Sequence, residues 1–311
     1  MKKEKRNFED LFKKKVGCEL DKSESLKQHS NFRIGGKADY FFSASSLEEL
    51  TAAVDLAREE LVPFRIIGGG FNILFDDKGF RGLIIRNQAK GIKKISKMEI
   101  EVLSGTDLDE VIDFCVHKGL GGMEFLAGIP GTVGGAVYGN AGAFGHCIGD
   151  ILKESVILKQ DRRRERLRKG RMDFEYRSSL LRKKSFFLIK AVFELNRKDP
   201  DSIKENIRKN LGKREKKHPP WGTSCAGSYF KNPVSDKGEK IAAGYLLDRV
   251  GARSLKKGDA AVYKGHSNFI INTGKASSKD IRELASELKH RVKKRFGIVL
   301  EEEVVFIPAE P

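Results

Sequence analysis

GIPGTVGGAVYGNAGAFG, running from Gly128 to Gly145, is the stretch whose reading decides the fold. Its glycines stand at 128, 131, 134, 135, 139, 142 and 145, and no Lys, Arg, Asp or Glu interrupts them in a chain that is 33% charged. A flexible linker would carry Ser, Pro or charge instead. Glycine admits positive φ and lacks a Cβ, so successive backbone N–H groups can converge on an anion such as a pyrophosphate. On spacing alone, tight turns between buried strands explain the run equally well.

Working toward the N-terminus, Phe64 to Ile67 is predicted as a strand that runs into a second glycine loop, GGGFNIL (Gly68 to Leu74). Before it, Leu47, Leu50, Val54 and Leu61 recur at helical spacing behind a possible capping box of Ser46 and Glu49. The order helix, strand, glycine loop is an α/β signature. Neither loop completes G-x-G-x-x-G or G-x-x-x-x-G-K-[ST], so the dinucleotide fingerprint and the P-loop are both excluded. Two such loops could still clamp one extended diphosphate from two sides.

Further strands are expected at Leu83 to Ile85, around Met98, Ile100 and Val102, at Ser155 to Leu158 and at Phe186 to Leu195. Thr106 should cap a helix through Leu108, Val111, Ile112 and Cys115 that stops at Gly119. Asp199 to Ser202 marks a boundary into a helix bearing Ile203, Ile207 and Leu211, which ends before Pro219 and Pro220. Beyond lie a helix at Ile241 to Val250, a strand at Asn268 to Asn272, and a helix opened by Ser277 or Ser278 with Ile281, Leu284, Leu288 and Val292 on one face. A terminal strand is expected at Val299 to Ile307.

The chain has 311 residues, 39% of them hydrophobic, enough for two or three parts with a real core. No apolar run approaches the roughly 18 residues of a membrane span, and no apolar segment follows the Lys-rich start, so a cytoplasmic protein without a membrane partner is expected. Cys18, Cys115, Cys147 and Cys225 are isolated and imply neither a disulfide framework nor a metal site. The net charge of +17 gathers in the N-terminal tail, in Asp161 to Arg171 and in Lys213 to His218, without the aromatic interleaving that stacks bases. These read as solvated basic faces with no nucleic-acid partner; their field would also concentrate a phosphorylated small substrate.

Arg177, in FEYRSS, could clamp a carboxylate or phosphate, the plain alternative being a surface ion pair. Ser228, in AGSYFKNP, is placed where a loop hydroxyl can face a cleft, although no G-x-S-x-G elbow surrounds it. In LEEEVVF, strand alternation puts Glu301, Glu303 and Val305 on one face. His266, in YKGHSNFIIN, has packing or hydrogen bonding as its default role.

NFRIGGKADYF, IIGGGFNILFDDKGFRGLII, GLGGMEFLAGIPGTVGGAVYGNAGAFG, FEYRSS, AGSYFKNP, AAGYLLDRVGA, GHSNFIINTG and GIVLEEEVVFI, in this order from Asn31 to Ile307, resemble the UDP-N-acetylenolpyruvoylglucosamine reductase (MurB) family of peptidoglycan synthesis. The resemblance implies an α+β fold: a two-part FAD-binding domain of the vanillyl-alcohol-oxidase (PCMH-like) type and a C-terminal α+β substrate domain. The expected divisions are a basic extension at 1–20, FAD-binding parts at 21–95 and 96–198, and a substrate domain at 199–311. The short path from Arg177 to Phe186 matches the shorter family type, without an inserted tyrosine loop.

By the same resemblance NADPH reduces FAD, and the enolpyruvyl group of the UDP-sugar then receives hydride; the protein is expected to be a monomer with these small molecules as its partners. FAD is expected on Ile67, Gly68, Gly69, Gly70, Phe71, Asn72, Ile73 and Leu74, and on Gly128, Ile129, Pro130, Gly131, Thr132, Gly134, Gly135, Asn140, Gly142, Ala143 and Gly145. Arg177 and Glu303 resemble the pair that stabilises the enolate, and Ser228 the proton donor, while Asn232, Lys217 and His266 match substrate-holding positions. Phe71 replaces the family's usual Ser, and Gly139 its usual Met.

Overall fold

The computed structural model of the chain describes residues 8–235 and 238–310. They divide into two compact units that share the chain in alternation. The first takes the chain up to Asp21, Phe41–Gly69 and Leu83–Arg214; the second takes Lys22–Tyr40, Gly70–Gly82 and everything from Glu215. The strands Ala38–Ala44 and Phe80–Asn87 each begin in one unit and finish in the other. One of the changes from unit to unit falls inside the first glycine loop, between Gly69 and Gly70.

In the first unit, Phe64–Ile67 pairs in parallel with Leu83 to Arg86. Leu47–Glu59 is the helix before it, opened by Ser46, whose hydroxyl accepts from Glu49 N at 3.1 Å. Glu49 answers to Ser45 N rather than to Ser46, and Leu61 lies past the helix, 88% exposed with φ +56°. A five-stranded antiparallel sheet follows in the order Arg164–Arg168, Leu152–Leu158, Phe187–Glu194, Glu99–Leu103, Ile92–Lys94. Ile100 and Val102 point into the core, as alternation requires, whereas Met98 stays outside the strand.

The helix Leu108–Lys118 starts from Asp107 instead of Thr106, whose hydroxyl is turned inward to Gly91 N at 3.0 Å. It ends at Gly119, in the left-handed region, as expected. Pro200–Glu215 belongs to this unit and does not open a separate domain: Ile203 is buried, Ile207 and Leu211 pack on the same core, and Asn210 donates to Glu124 O at 2.9 Å.

Residues 1–7 of the expected extension lie outside the described residues. Its remainder is not loose: Phe8–Val16 is a helix packed on Leu47–Glu59, with Phe12 fully buried and edge-on to Phe42 at 4.9 Å.

The second unit gathers Phe32, Ile34 and Leu74 with the C-terminal helices and strands into one core. Ser278–Phe296 buries Ile281, Leu284, Leu288 and Val292, and a complete capping box of Ser277 and Asp280 opens it. A three-stranded sheet comprises Lys256–Lys257, Ala260–Val262 and Ile270–Asn272. The terminal strand is shorter than the alternation of LEEEVVF suggests. Only Val305–Ile307 is ladder, paired in parallel with Ile73–Phe75, and Glu302 makes a single bridge to Phe230.

Candidate active site

In the first unit the two glycine loops touch. A Cβ on Gly68 would come within 2.5 Å of Thr132 Oγ1, so only glycine permits the approach. Thr132 caps the helix Val133–Tyr138 by accepting from Gly135 N at 3.3 Å. Val133 N donates to Thr106 O at 2.9 Å and Gly134 N to Ser104 O at 2.7 Å. The first N–H groups of this helix are therefore spent inside the protein, and Gly134 and Gly135 act as scaffold. The N–H groups of Gly69, Gly131 and Thr132 find no acceptor among the described residues. Unsatisfied backbone donors beside a glycine contact fit the phosphate oxygens of a diphosphate cofactor.

The second half of the stretch does something else. Gly142–Ala143 and His146–Cys147 form a small hairpin, with Phe144 and Gly145 at its tip. From this region three hydrogen bonds reach the FEYRSS segment: Asn140 Nδ2 donates to Glu175 O at 2.9 Å, Ser179 Oγ donates to Tyr138 O at 2.9 Å, and Arg177 Nη1 donates to Gly142 O at 3.2 Å. Arg177 itself has φ +57°.

Arg214 completes this corner and was not singled out from the sequence, where KREKKH reads as a solvated run. Its guanidinium lies 5.3 Å from the Phe144 ring centroid, and its buried Nε and Nη2 have no hydrogen-bond partner among the described residues. Burial, and then the charge of Arg177, push its pKa down. Two like charges held in a half-buried corner suit an anionic ligand. The only sequence signal was that Arg214 follows Leu211 by about one helical turn, on the apolar face.

In the second unit the lower part of the first glycine loop anchors the terminal strand. Gly70 has φ +73°, and a Cβ there would lie 2.0 Å from His29 O. Asn72 Nδ2 donates to Glu303 O at 3.2 Å, and Asn72 O accepts from Val305 N at 3.0 Å. Phe71 takes the place between them and is half-buried. Leu74 is buried in the core, while Ile73 accepts from Ser30 Oγ through its carbonyl at 2.9 Å.

Glu303 N donates to Tyr229 O at 2.8 Å, which sets the backbone of Glu303 beside the residue that follows Ser228. Tyr229 N in turn donates to Asn268 O at 2.7 Å, and the Asn268 amide holds both backbone groups of Phe230. The segment bearing Ser228 is thereby fixed between two others. Ser228 and Glu303 are both half-buried.

Asn232 Oδ1 accepts from Ala243 N at 3.0 Å and so joins this segment to the helix Ala243–Arg249. His266 packs on Phe269 with ring centroids 5.0 Å apart, and its Nδ1 accepts from Asn268 N at 3.2 Å. Burial lowers the His266 pKa, and the charge of the exposed Lys217 adds a little in the same direction. No group of His, Cys, Asp and Glu able to hold a metal occurs among the described residues, and no described helix is long and apolar enough to cross a membrane.

The chain matches two family models, an FAD binding domain over residues 38–161 and the UDP-N-acetylenolpyruvoylglucosamine reductase C-terminal domain over residues 219–307. It is 38% identical to the UDP-N-acetylenolpyruvoylglucosamine reductase of Desulforamulus reducens, over 91% of each chain. To that of Bacillus subtilis it is 36% identical, over 96% of this chain and 97% of the relative. Among solved structures, the MurB enzyme of Thermus caldophilus superposes with a TM-score of 0.75 at 28% identity, covering 93% of this chain and 99% of that one. The α+β fold, the FAD-binding domain and the C-terminal match over nearly the whole length converge: the chain belongs to the UDP-N-acetylenolpyruvoylglucosamine reductase family, the FAD-dependent oxidoreductases of peptidoglycan precursor synthesis.

Proposed function

We propose that this chain reduces UDP-N-acetyl-3-O-enolpyruvoylglucosamine to UDP-N-acetylmuramate with NADPH, and that Arg177, Arg214, Ser228 and Glu303 carry the chemistry. The observation that supports this most is the cation pair. Arg177 is bound to the second glycine stretch by its guanidinium, and Arg214 is half-buried beside it with unsatisfied donors.

FAD, when bound, takes hydride from NADPH and supplies it to the enolpyruvyl double bond. The donors of Gly69, Gly131 and Thr132 hold its phosphates. Negative charge that develops on the enolpyruvyl carboxylate is met by Arg177 and Arg214, whose desolvation strengthens every interaction they make. Glu303, protonated or sharing a proton, adds a hydrogen bond to the substrate rather than a repulsion.

Ser228 delivers the proton to the carbon that does not receive hydride. Fixed through Tyr229 and Asn268, it needs little reorganisation to do so. Lys217, Asn232 and His266 bind the UDP-sugar. The protein works as a monomer, with small molecules as its partners and no nucleic acid or membrane.

The test is direct. The purified protein should be yellow, or take up FAD, and should oxidise NADPH only when the enolpyruvyl sugar is present. Ser228→Ala should still accept hydride from NADPH, while turnover falls by roughly 10² to 10⁴-fold. A protein that cannot be loaded with FAD would rule out the activity, and unchanged turnover in Ser228→Ala would rule out the proton-donor role.

A further inference from the structure

We infer that Asn140 is a positioning residue for Arg177, holding the turn that carries the guanidinium in its left-handed conformation, and is not a ligand of the cofactor. The inference rests on the role proposed above for Arg177. It begins with a backbone cost. Glu175 to Ser178 is a tight turn closed from both sides, Glu175 N donating to Ser178 O at 3.1 Å and Ser178 N to Glu175 O at 3.2 Å. Arg177 occupies its third place with φ +57°, a place that glycine or asparagine usually fills. An arginine stays there only if the surroundings over-determine the turn.

Asn140 supplies that determination. It is 6% exposed, and both ends of its amide are hydrogen-bonded inside the protein. Nδ2 donates to Glu175 O at 2.9 Å, and Oδ1 accepts from Gly149 N at 3.1 Å. The two amide ends meet groups of opposite kind, which fixes the orientation of the side chain. Asn140 is itself left-handed, with φ +44°, a conformation that asparagine tolerates better than most residues.

Gly149, its other partner, is closely packed: a Cβ there would lie 3.0 Å from both Asn140 Oδ1 and the Phe174 ring, so a larger residue would push on the amide. The second half of the glycine stretch is thus a bracket, tied to the arginine segment at Tyr138, Asn140 and Gly142.

Two variants keep the backbone free of new strain. Asn140→Gly retains the left-handed residue and removes the whole amide; Asn140→Asp retains the shape and acceptor but sets an oxygen against Glu175 O. Both should bind FAD with wild-type stoichiometry and be reduced by NADPH at the wild-type rate. Transfer to the enolpyruvyl sugar should slow by roughly 5- to 100-fold, the range for a buried donor–acceptor pair opened to leave its partner unsatisfied. Amide hydrogen exchange at residues 175–179 in the FAD-loaded protein should accelerate over a similar range. Asn140→Gly combined with Arg177→Ala should be no slower than Arg177→Ala alone.

Loss of FAD with unchanged turnover per bound flavin would make Asn140 a cofactor ligand and overturn the proposal. Wild-type exchange at 175–179 would overturn it too. If the wild-type protein does not reduce the sugar at all, the functional reading fails, and exchange alone decides whether Asn140 braces the turn.

Discussion

His266 shows how much a single residue's surroundings change its chemistry. Burial among Phe269, His218 and Gly244 pushes its pKa down; Asp248 pulls the other way, and Arg253 and Lys217 reinforce burial. The folded protein therefore holds His266 neutral at pH values where the unfolded chain protonates it. Its contribution is fully present above the unfolded value near 6.5 and declines as pH falls below that. Melting temperatures taken from pH 8 to pH 5 should fall less steeply for His266→Gln than for the wild type; parallel curves would show that His266 does not govern the decline.

At this same scale short motifs were legible. A serine opening the helix at 277 or 278 and Gly119 as a helix stop could both be found locally, because each depends on neighbours within a few residues. Arg214 could not. Its burial depends on Phe144 and on the charge of Arg177, both remote in the chain. Thr106 was similarly ambiguous: a threonine before a helix reads as a cap, but here its hydroxyl serves Gly91 and the cap falls to Asp107.

Among the elements, the N-terminal helix illustrates a limit of composition. Its lysines suggested a loose extension, yet two aromatic residues, Phe8 and Phe12, stand one helical turn apart and both are buried. Phe12→Ala should therefore destabilise the protein by about 3 kcal/mol or more, as loss of a fully buried aromatic ring does. Urea unfolding would measure it, and a shift below about 0.5 kcal/mol would mean that this helix contributes nothing to stability.

The terminal segment errs in the opposite direction. LEEEVVF alternates well enough for a long strand, but a ladder needs a partner as long as itself, and Ile73–Phe75 offers three residues. Periodicity reports which faces a segment has, whereas its pairing length is set elsewhere in the chain. The helix Pro200–Glu215 follows the same rule: its apolar positions are legible in the sequence, and the core that receives Ile207 and Leu211 is not.

For the whole molecule, the charge of +17 lies largely on exposed side chains, including Arg162, Arg163 and Arg164 near the end of the five-stranded sheet. Several of these pair with carboxylates, Arg162 with Glu59 at 2.8 Å and Arg163 with Asp161 at 2.6 Å, as exposed and screened contacts. Binding to DNA or heparin at low salt should be weak, independent of sequence, and lost between about 50 and 200 mM salt. Sequence-selective retention at the higher salt would contradict the assignment of these residues to a solvated face. The α+β class and the two glycine loops were legible at this scale because eight short motifs fall in one order along the chain. The alternation of the chain between the units was not, since a crossing at Gly69 and Gly70 leaves no mark in composition.

The pairing of Val305–Ile307 with Ile73–Phe75 has a consequence for how the protein is made. While the ribosome is still producing the intervening chain, the edge at residues 73–75 has no native neighbour, and Asn72, the anchor of the Glu303 backbone, has nothing to hold. The fold therefore closes late, over a loop whose entropy is paid at the end, so refolding should be slow for a protein of this size. Until that moment the nascent chain carries an exposed strand edge, and chaperones rather than the native contacts must keep it from pairing with other chains.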